Sequence, residues 1–465
     1  MSKLYVFGIG GTGARVIKSL TLLLAAGVDC KYDIETILID SDVSNGNLTD
    51  TVNLLQEYEC IQSNVKNTSA TSNEFFKTPI AYQRWNIPNS DEKFKDFIGL
   101  ANQSAETKAL SQLLFDKDNE LEQNTTIGYR GRPNMGCVAM NQLLNLDSFL
   151  QFTNGFSDGD RIFIIGSIFG GTGASGFPWL YKTLRNGKLA NNESLIHKSK
   201  IGAISVLPYF KVKSDKASPI DSATFISKAK SALVHYDTAF KDIDCLYYIS
   251  ANPADFPTYE NHDGGDNQKN PANIIELLAA TSILDFANKS FNAKSQGTSY
   301  FELGIEDIKS KNVSFKELPK NVREMIQKPL IRFSLFANYM DFHYADAFDK
   351  LPVYTDYNIK DIRGTFVDAI KNVVECYKDW LNDMETEPNG LSAKLFNMNC
   401  KNNPFDLVEG VIPKTSFLGL SKNYDLFDKK LNDNNIEKRE PKECFLELFY
   451  HATDILIEKK NLYIK

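Results

Sequence analysis

Short apolar runs alternate with helical stretches along the first 290 residues of the chain. Most of these runs end at a glycine, a proline or a polar loop, which is typical of strands that are buried on both faces of a sheet. The predicted strands are Leu4–Phe7, Thr36–Ile39, Arg161–Ile165, Ile201–Leu207 and Cys245–Ile249. Helical stretches separate them, so the pattern predicts a parallel sheet with helices on both faces.

The helical stretches are those in which apolar residues recur every three or four positions. They cover the residues after the first strand and then Val138–Leu150, Phe177–Leu184, Phe225–Phe240 and Pro271–Lys289. Residues 62–126 are rich in Asn, Ser, Lys and Glu and have weak periodicity. We interpret them as an insertion with some helix.

Beyond residue 295 the pattern becomes mostly helical. Phe366–Leu381 has the clearest apolar face, and Leu330–Tyr339 and Glu443–Leu456 also look mainly helical. We therefore predict an α/β protein in three parts. A parallel-sheet domain covers residues 1–270, a central helix covers 271–290, and a mostly helical C-terminal domain covers 295–465.

Composition and charge narrow the class of protein. Of the 465 residues, 42% are hydrophobic and 24% are charged, the proportions of an ordinary globular protein. The formal net charge of −7 argues against nucleic acid as a direct ligand. No apolar run approaches the ~18 residues that span a membrane, and we find no secretory leader. We expect a cytoplasmic protein that is not inserted into a membrane.

Cysteine and histidine usage gives no sign of a disulfide framework or of a metal centre. The seven cysteines and five histidines are scattered, without Cys-x-x-Cys, His-x-His or His-Glu-x-x-His spacing. Such usage is typical of reduced thiols in the cytosol. We predict no metal ligands among the side chains.

A glycine-rich loop follows the first predicted strand. Gly8, Gly10 and Gly13 fit the pattern Gly-x-Gly-x-x-Gly, in which glycine lets the backbone turn sharply and approach a phosphate group. The N-terminus of the next helix then points N–H groups and a partial positive charge at the anion. Asp40 ends the second predicted strand, where a dinucleotide-binding fold has the carboxylate that binds ribose. Asp40 and Asp42 are candidates for contact with ribose or with a magnesium-bound water molecule.

A second glycine-rich loop, Gly166–Gly176, follows the strand Arg161–Ile165. A single dinucleotide-binding fold uses one such loop, whereas two loops after two parallel strands are explained by one polyphosphate that is held from two sides. Neither loop ends in the Lys-Ser or Lys-Thr pair of a P-loop, which argues against an ATPase of that class.

At these loops the chain resembles the tubulin/FtsZ superfamily, in particular its divergent bacterial tubulin-like branch. Phe169–Ser175 is similar to the FtsZ signature Gly-Gly-Gly-Thr-Gly-Thr-Gly, and Gly8–Gly13 is similar to the first loop of the family. Gly131–Gly136 resembles a further phosphate loop that contains Pro-x-x-Gly at a helix start. These three loops occur in the family's order along the chain.

Three shorter similarities follow in the same order. Ile201–Phe210 resembles the strand that ends in Pro-Phe near the ribose, and Ser250–Asn252 stands in the place of a Pro-Asn turn. Asn273 follows Ala272 at the start of the central helix, where the corresponding Asn of FtsZ reads guanine. The resemblance covers roughly residues 3–290.

The resemblance implies a guanine-nucleotide site with GTP or GDP as the cofactor, and Mg²⁺ is a further candidate. Together with Asp40, it implies that the nucleotide is bound by residues of the loops and strand ends. They are Gly10, Gly11, Thr12, Gly13, Asp40, Gly131, Pro133, Asn134, Gly136, Gly170, Gly171, Thr172, Gly173, Pro208, Asn252 and Asn273.

Two departures from the family affect the expected activity. In the family, a loop after the central helix delivers acidic residues to the site of the neighbouring subunit. Here the residues after Lys289 lack an Asn-x-Asp-x-x-Asp pattern, and Glu302, Glu306 and Asp307 are later carboxylates without matching spacing. The helical C-terminal part also differs from the family's second domain. We expect nucleotide binding with at most slow GTP hydrolysis, and we assign no catalytic residue.

The leading hypothesis is therefore a guanine-nucleotide-binding, tubulin/FtsZ-like protein that acts as a switch or as a filament-forming subunit. It would associate with itself or with a partner protein through the C-terminal domain. One alternative is a Rossmann-type protein that binds NAD or FAD. Another is a degenerate scaffold that keeps the fold without hydrolysing nucleotide.

Overall fold

A parallel sheet of seven strands organises the first part of the chain. The computed structural model describes residues 1–65, 75–126, 128–129, 131–215, 218, 220–262, 264–291, 297–305, 312–362, 364–386, 390–414 and 423–464. The sheet strands are β1 (Lys3–Ile9), β2 (Asp33–Asp40), β3 (Ile80–Asn86), β4 (Arg161–Ser167), β5 (Lys200–Val206), β6 (Cys245–Ile249) and β7 (Ser299–Leu303). Their order is β3-β2-β1-β4-β5-β6-β7, and every neighbouring pair is parallel. The predicted α/β fold class is confirmed.

Helices flank the sheet and continue beyond it. Those before the last sheet strand are α1 (Gly10–Ala25), α2 (Gly46–Asn64), α3 (Phe94–Phe97), α4 (Ala105–Leu114), α5 (Pro133–Ala139), α6 (Asp147–Gly155), α7 (Thr172–Asn186), α8 (Glu193–Lys198), α9 (Phe225–Ala239) and α10 (Ile274–Asn288). Those after it are α11 (Lys320–Phe342), α12 (Tyr344–Ala347), α13 (Pro352–Asp356), α14 (Thr365–Glu385), α15 (Asn423–Asn432) and α16 (Pro441–Lys460). Among the described residues, no helix is both long and apolar enough to cross a membrane.

Shorter elements lie in the connections. Two small parallel ladders pair Lys211–Val212 with Thr258–Tyr259 and Asn312–Val313 with Ser392–Ala393. Short stretches of 3₁₀ helix are Leu100–Asn102, Met140–Asn145, Ser222–Thr224, Pro253–Asp255, Ile359–Asp361 and Pro404–Leu407, and Lys117–Leu121 is a π turn. The first of the two ladders lies beside the site described below.

The two faces of the sheet carry different helices. Val6 of β1 pairs with Phe163 of β4, so their side chains share a face, and Phe163 packs on Phe286 of α10 with ring centroids 5.5 Å apart. Tyr5 faces the opposite way and packs on Phe152 of α6, with centroids 5.0 Å apart. Helices α1, α2 and α10 therefore cover one face, and α6 and α7 cover the other.

The C-terminal helices form a further layer over α1 and α2. Trp380 of α14 donates from Nε1 to Ser19 Oγ of α1 at 3.1 Å, and Asn372 of α14 donates to Glu57 Oε1 of α2 at 2.8 Å. The helices predicted from Leu330–Tyr339, Phe366–Leu381 and Glu443–Leu456 lie within α11, α14 and α16 and are confirmed. The mostly helical character of this part is confirmed with them.

The two edge strands of the sheet lie in parts of the chain where the sequence analysis predicts no strand. Strand β3 lies within residues 62–126, which we interpret as an insertion, and β7 lies within the part assigned to the helical domain. Each edge strand has one neighbour in the sheet, and most of its side chains are at least partly exposed. Such strands do not form the continuous apolar run that marks a strand buried on both faces.

Candidate functional site

A cleft opens at the carboxyl ends of β1 and β4. The two strands are neighbours in the sheet, and from them the chain proceeds outward in opposite directions, toward β2 and toward β5. Ligands of open α/β sheets bind at this kind of position, where the strand order reverses. The cleft has about 950 Å³ of empty space, including its open mouth.

One end of the cleft, which we call the glycine end, is formed by Gly10–Thr12, Gly131 and Gly170–Gly173. Here α1 and α7 begin side by side. A Cβ atom added to Gly10 would lie 3.4 Å from Cβ of Thr172 and 3.5 Å from the backbone N of Gly173. Gly10 has φ +73°, a left-handed conformation that glycine adopts without strain.

Neither of the two helix N-termini is capped by a side chain of its own helix. Neither α1 nor α7 has an acidic residue in its first turn, and neither N-cap side chain accepts a hydrogen bond from the helix. The first N–H groups of a helix have no partner within the helix, and they carry its partial positive charge. Two such ends in contact make a site for an anion.

A third loop closes the glycine end from the side of α5. A Cβ atom added to Gly171 would lie 3.0 Å from Cβ of Tyr129 and 3.1 Å from N of Gly131. Lys228 of α9 donates from Nζ to the carbonyl oxygen of Gly131 at 3.0 Å. Burial, together with the nearby Arg132, lowers the pKa of Lys228. The loop is therefore held by a half-buried lysine of α9.

Asp40 lies at the bottom of the glycine end and is only 4% exposed. Its Oδ1 accepts from the backbone N of Asp42 at 3.2 Å and from Thr172 Oγ1 at 3.4 Å. Burial raises the pKa of Asp40 to about 7, and the charge of Asp42 adds to this effect. Asp42 itself accepts from Ser44 and from the backbone N of Gly265 at 2.7 Å.

One wall of the cleft is a segment that we call the strap, residues 264–270. It is hydrogen-bonded along the start of α2: Gly46 N donates to Gly265 O at 3.3 Å, and Asn47 N donates to Gln268 O at 3.1 Å. Asn270 N donates to Asn47 Oδ1 at 3.0 Å. Gln268, Asn270, Asn45 and Asn47 line the cleft. The strap and the start of α2 together give this wall four amide side chains.

The opposite end of the cleft, which we call the aromatic end, is lined by Phe210, Val212, Ile220 and Phe225. Phe169 lies between the two ends and packs on Phe225 with ring centroids 5.0 Å apart. The two ends differ in chemistry, because the first offers backbone N–H groups and the second is lined by apolar side chains.

Arg15 lies beside the aromatic end and is 5% exposed, yet it lines the cleft. Its Nε donates to Glu276 Oε1 at 2.5 Å, and its Nη2 donates to the hydroxyl of Tyr209. Burial by itself lowers the pKa of Arg15, but Glu276 and Tyr209 outweigh burial, so the pKa lies above its ordinary value. The guanidinium is therefore a fixed positive charge at the wall of the cleft.

The structure brings nine of the sequence-predicted residues together in the lining of the cleft. They are Gly10, Gly11, Thr12, Asp40, Gly131, Gly170, Gly171, Thr172 and Gly173. A ligand-binding role for each of them stays a prediction.

The other predicted residues have positions outside the described lining of the cleft. They are Gly13, Pro133, Asn134, Gly136, Pro208, Asn252 and Asn273. Gly13 and Gly136 lie where elements pack closely, since an added Cβ would meet the Gly8 backbone at 2.5 Å and Ser175 Cβ at 2.8 Å, respectively. Pro133 is the first residue of α5, a position that suits proline.

The three predicted asparagines serve local structure. Asn134 donates to Glu120 Oε1 at 2.8 Å. Asn252 is exposed and accepts from the backbone N of Ala254. Asn273 is buried as the N-cap of α10, where its side chain accepts from the backbone N of Ile275. The base contacts of Asn252 and Asn273 and the phosphate-loop role of Asn134 stay predictions.

Several lining residues escape sequence reasoning. Arg15 lies two residues after Gly13, Tyr129 lies two residues before Gly131, and Phe210 ends the segment Ile201–Phe210, so their proximity to a glycine loop or to a strand end is a usable signal. The strap residues Gln268 and Asn270 carry no such signal, because they lie in a long polar loop. Of the later carboxylates, Glu302 lies on β7 at the sheet edge, and Glu306 and Asp307 lie outside the described residues.

No family model and no curated protein sequence matches the chain. Similar solved structures are tubulin/FtsZ-family proteins. CetZ from Methanosaeta thermophila strain DSM 6194 has 15% identity and a TM-score of 0.30, covering 63% of this chain and 56% of its own. TubZ of Clostridium botulinum phage c-st, truncated at its C-terminal tail, has 14% identity and a TM-score of 0.32, covering 70% and 75%.

CetZ2 from Haloferax volcanii, in a GTPγS-bound protofilament, has 13% identity and a TM-score of 0.33, covering 85% of this chain and 87% of its own. The chain spans little more than half the length of the CetZ protein from Methanosaeta thermophila. At these identities and TM-scores we base no functional argument on the similarities. The proposal that follows depends on the cleft.

Proposed function

We propose that the cleft binds a nucleoside polyphosphate, GTP or GDP by preference, and that the protein is a tubulin/FtsZ-like nucleotide-binding protein. The observation that carries the proposal is the contact between two helix N-termini, α1 at Gly10 and α7 at Thr172, at the carboxyl ends of neighbouring strands. One helix N-terminus binds one phosphate group, and a pair in contact suits a chain of phosphates.

The shape of the cleft supports a nucleotide rather than a free polyphosphate. The glycine end suits the phosphates, and the aromatic end suits the flat apolar faces of a base. The strap offers amide groups along the wall between them. A nucleotide is a ligand with this order of groups.

We propose at most slow hydrolysis. The carboxylates that line the cleft are Asp40, Asp42 and Glu260 among the described residues. Asp42 is engaged by Ser44 and Gly265, and Glu260 is paired with Lys213. Asp40 is buried behind Thr172. A general base must reach the attacking water, so these positions favour a protein that holds nucleotide and turns it over slowly.

Mg²⁺ enters the proposal only with the nucleotide. Within the described residues there is no group of three or more His, Cys, Asp or Glu side chains that could hold a metal ion. Mg²⁺ commonly binds through one or two carboxylates and the phosphates of its substrate. Any Mg²⁺ would therefore be carried by the phosphates.

A dinucleotide such as NAD or FAD is the second candidate ligand. The strand order 3-2-1-4-5-6 is shared with dinucleotide-binding folds, and Asp40 ends β2 where those folds have their ribose-binding carboxylate. The second glycine-rich loop, which follows β4, argues against a dinucleotide. Its residues Gly170–Thr172 narrow the space beside α1 in which a dinucleotide would lie.

Calorimetry with GTP, GDP and NAD, together with mass spectrometry of the ligand released from purified protein, decides between these ligands. We expect GTP and GDP to bind and NAD not to compete. Gly171→Val should abolish binding, because its side chain would displace the Tyr129–Gly131 loop. Gly155→Val is the matched control, since a Cβ there meets only Tyr5 Oη at 3.6 Å. If NAD binds and GTP and GDP do not, the dinucleotide hypothesis replaces the proposal. If no nucleotide binds, the result favours the hypothesis of a degenerate scaffold.

Phosphate release across a ~100-fold range of protein concentration, with light scattering in parallel, tests the proposed role. A flat, slow rate is expected for a switch that acts on a partner protein. A filament-forming GTPase would instead show a threshold in both signals, because each site would be completed only by assembly.

A further inference from the structure

Helix α4 (Ala105–Leu114) lies at the surface with its apolar side chains turned outward. Leu110 is 54% exposed, Leu113 is 85% exposed and Leu114 is 59% exposed. Their spacing of three and four positions places the three side chains on one face of the helix, which we call the leucine face. Ser111 is the one buried residue of this helix, all of which the structure describes. Scattered exposed apolar residues are ordinary, whereas a patch of them on one face marks an interaction site.

The opposite side of α4 fixes the orientation of the helix. Phe115, directly after the helix, is buried and packs on Phe94 with ring centroids 5.0 Å apart. Lys108, one turn before the buried Ser111, donates from Nζ to the carbonyl oxygen of Ala101 at 2.8 Å. Turning the helix to bury its leucines would break both contacts, so the exposure of the leucine face belongs to the folded structure.

The part of the chain that contains α4 is strongly acidic. Residues 90–126, which we call the acidic lobe, contain eight Asp or Glu side chains against four Lys. They therefore carry −4 of the chain's formal net charge of −7 in 37 of its 465 residues. Two of the four lysines, Lys93 and Lys95, are paired with Glu122 at 2.9 Å and 2.6 Å. The acidic lobe therefore presents an excess of negative charge to its surroundings.

Three exposed carboxylates lie at the two ends of the leucine face. Glu106 lies one helical turn before the first of the leucines, and Asp116 and Asp118 follow the end of the helix. Its own backbone N–H group lowers the pKa of Glu106, and the backbone N–H of Asn119 lowers the pKa of Asp116. Lys117 offsets one of the two aspartates. The leucine face therefore has a net negative charge at each end.

This charge decides what can cover the leucine face. A second copy of the chain would bring two acidic lobes together, and an anionic lipid surface would repel the lobe. Amphipathic helices that lie on membranes have many Lys and Arg residues beside their apolar face, unlike α4. A segment that complements α4 has apolar side chains at helical spacing with Lys or Arg beside them.

We propose that the leucine face of α4 is a docking site for a basic amphipathic helix of a partner protein. The apolar side chains of that helix cover the three leucines, and its Lys or Arg side chains lie against the carboxylates of the acidic lobe. The site is separate from the nucleotide cleft and from the C-terminal domain, where we expect a partner contact from the sequence. A helix of ten residues is ~15 Å long, so the contact is small and reversible.

The test uses fluorescence anisotropy with the full chain and a labelled peptide of ~14 residues, which is about four helical turns. Leu occupies positions spaced by three and four along this peptide, and Lys and Ala occupy the others. We expect a dissociation constant of ~10 μM at low ionic strength and a several-fold weaker one at ~0.5 M salt, which screens the charges. A scrambled peptide of the same composition, and a peptide with Glu in place of Lys, should each bind at least ~10-fold more weakly.

Variants of the leucine face test the position of the contact. Leu113→Ser should weaken binding of the Leu/Lys peptide by ~10-fold or more, because it removes apolar surface that the contact buries. Val234→Ser on α9 is the matched control, since Val234 is 74% exposed but lies outside the acidic lobe, and it should change nothing. Leu110→Ser is a second variant should Leu113→Ser not fold, and thermal unfolding reports the fold of each.

The double variant Glu106→Gln with Asp118→Asn tests the charges. It should weaken binding of the peptide by ~3-fold or more at low salt and leave the affinity at ~0.5 M salt unchanged. Asp116 is retained in this variant, because its side chain accepts from the backbone N of Asp118 and of Asn119 and caps the turn after the helix.

Three results would overturn the inference. One is the absence of binding by the Leu/Lys peptide, or an affinity that scrambling the peptide or Leu113→Ser leaves unchanged. Another is a reversible dimer of the protein alone, measured by sedimentation, that Leu113→Ser abolishes, since a second copy would then be the occupant. The third is co-sedimentation with phosphatidylserine vesicles that Leu113→Ser abolishes, which would make the leucine face a membrane contact.

Discussion

At the glycine end of the cleft the walls are backbone, whereas at the aromatic end they are side chains. The glycine end depends on close approaches between main-chain segments, such as Gly10 with Thr172 and Gly171 with Gly131. The aromatic end depends on rings and on the buried Arg15–Glu276 pair, which come from segments far apart in the sequence. The difference predicts that, for the proposed nucleotide, contacts to the phosphates and contacts to the rest of the ligand can be lost separately.

The largest expected effect is a loss of stability at a glycine that is required for close packing of the backbone. A glycine that lines the cleft should show no such loss. A Cβ at Gly13 would lie 2.5 Å from the carbonyl carbon of Gly8, and neither backbone can move without opening the β1–α1 turn. We expect Gly13→Ala to lower the free energy of unfolding by several kcal/mol, enough to unfold a marginally stable protein. Circular dichroism and thermal unfolding measure this effect.

Gly11→Ala is the matched variant at the same loop. An added Cβ there would meet the side-chain nitrogens of Asn45 and Asn47 at 3.5 Å, an ordinary contact. We expect a fold like that of the wild type and a nucleotide affinity at least ~10-fold lower, because the methyl group lies where an anion would approach. Equal stability of the two variants would contradict the assignment of Gly13 to packing.

The second effect concerns charge at the glycine end. The pKa of Asp40 is raised by burial from its ordinary 3.8 to about 7, so the charged carboxylate is disfavoured in the folded state. The wild type should therefore lose stability as the pH rises from about 4 to about 7, by roughly 4 kcal/mol from this group. Asp40→Asn has no carboxyl group to titrate at this position. The free energy of unfolding of Asp40→Asn minus that of the wild type should therefore increase across that pH range and then stay constant.

Urea unfolding of the wild type and of Asp40→Asn at a series of pH values measures this difference. The charged and titratable groups that face Asp40 are Asp42 and Tyr129, and both variants retain them. A difference in unfolding free energy that is independent of pH would show that Asp40 is hydrated in the folded protein.

A somewhat smaller effect is expected at the aromatic end. Glu276→Gln would leave Arg15 buried without its ionic partner, and removal of one member of a buried pair costs about 3 kcal/mol or more. The matched control is Glu324→Gln, whose partner Lys320 is 79% exposed and whose own side chain is 66% exposed. We expect less than about 1 kcal/mol there. Chemical denaturation of both variants measures the contrast.

The smallest effect tests the asparagine at the start of α10. Asn273→Ala removes an N-cap that is part of a capping box, which should cost about 1 kcal/mol of stability. Nucleotide affinity should stay within ~2-fold of the wild type, because the side chain does not line the cleft. A ~10-fold loss of GTP affinity would restore Asn273 as the residue that reads the base. Asn252→Ala, at an exposed cap, is the control.

Much of the fold can be predicted from the sequence where each element has a periodic signal of its own. The five inner strands and the long helices of the C-terminal layer have that signal, because burial on both faces of a strand or on one face of a helix requires it. The edge strands Ile80–Asn86 and Ser299–Leu303 lack it, since most of their side chains are at least partly exposed. Their place in the sheet depends on a neighbour that lies far away along the chain.

The candidate site also has one part that a local sequence pattern indicates and another part that no such pattern indicates. The glycine loops are contiguous, and some contacts that require glycine are local, such as Gly13 with Gly8 and Gly173 with Ser167, so the pattern indicates these directly. Arg15 lies directly after such a segment, but its guanidinium is held in place by Glu276 and Tyr209, which are more than 190 positions away. No local pattern can indicate a contact of that kind.

By itself, the sequence determined that a parallel sheet forms, that two glycine loops follow two of its strands, and that a helical part follows. These are consequences of local periodicity and of backbone conformations that only glycine allows easily. Only the tertiary structure decided that the N-termini of α1 and α7 touch, that the strap closes the wall over α2, and that Arg15 is held by Glu276 at the aromatic end. Each of these depends on the packing of distant segments, which fixes direction and distance, and a linear pattern contains neither.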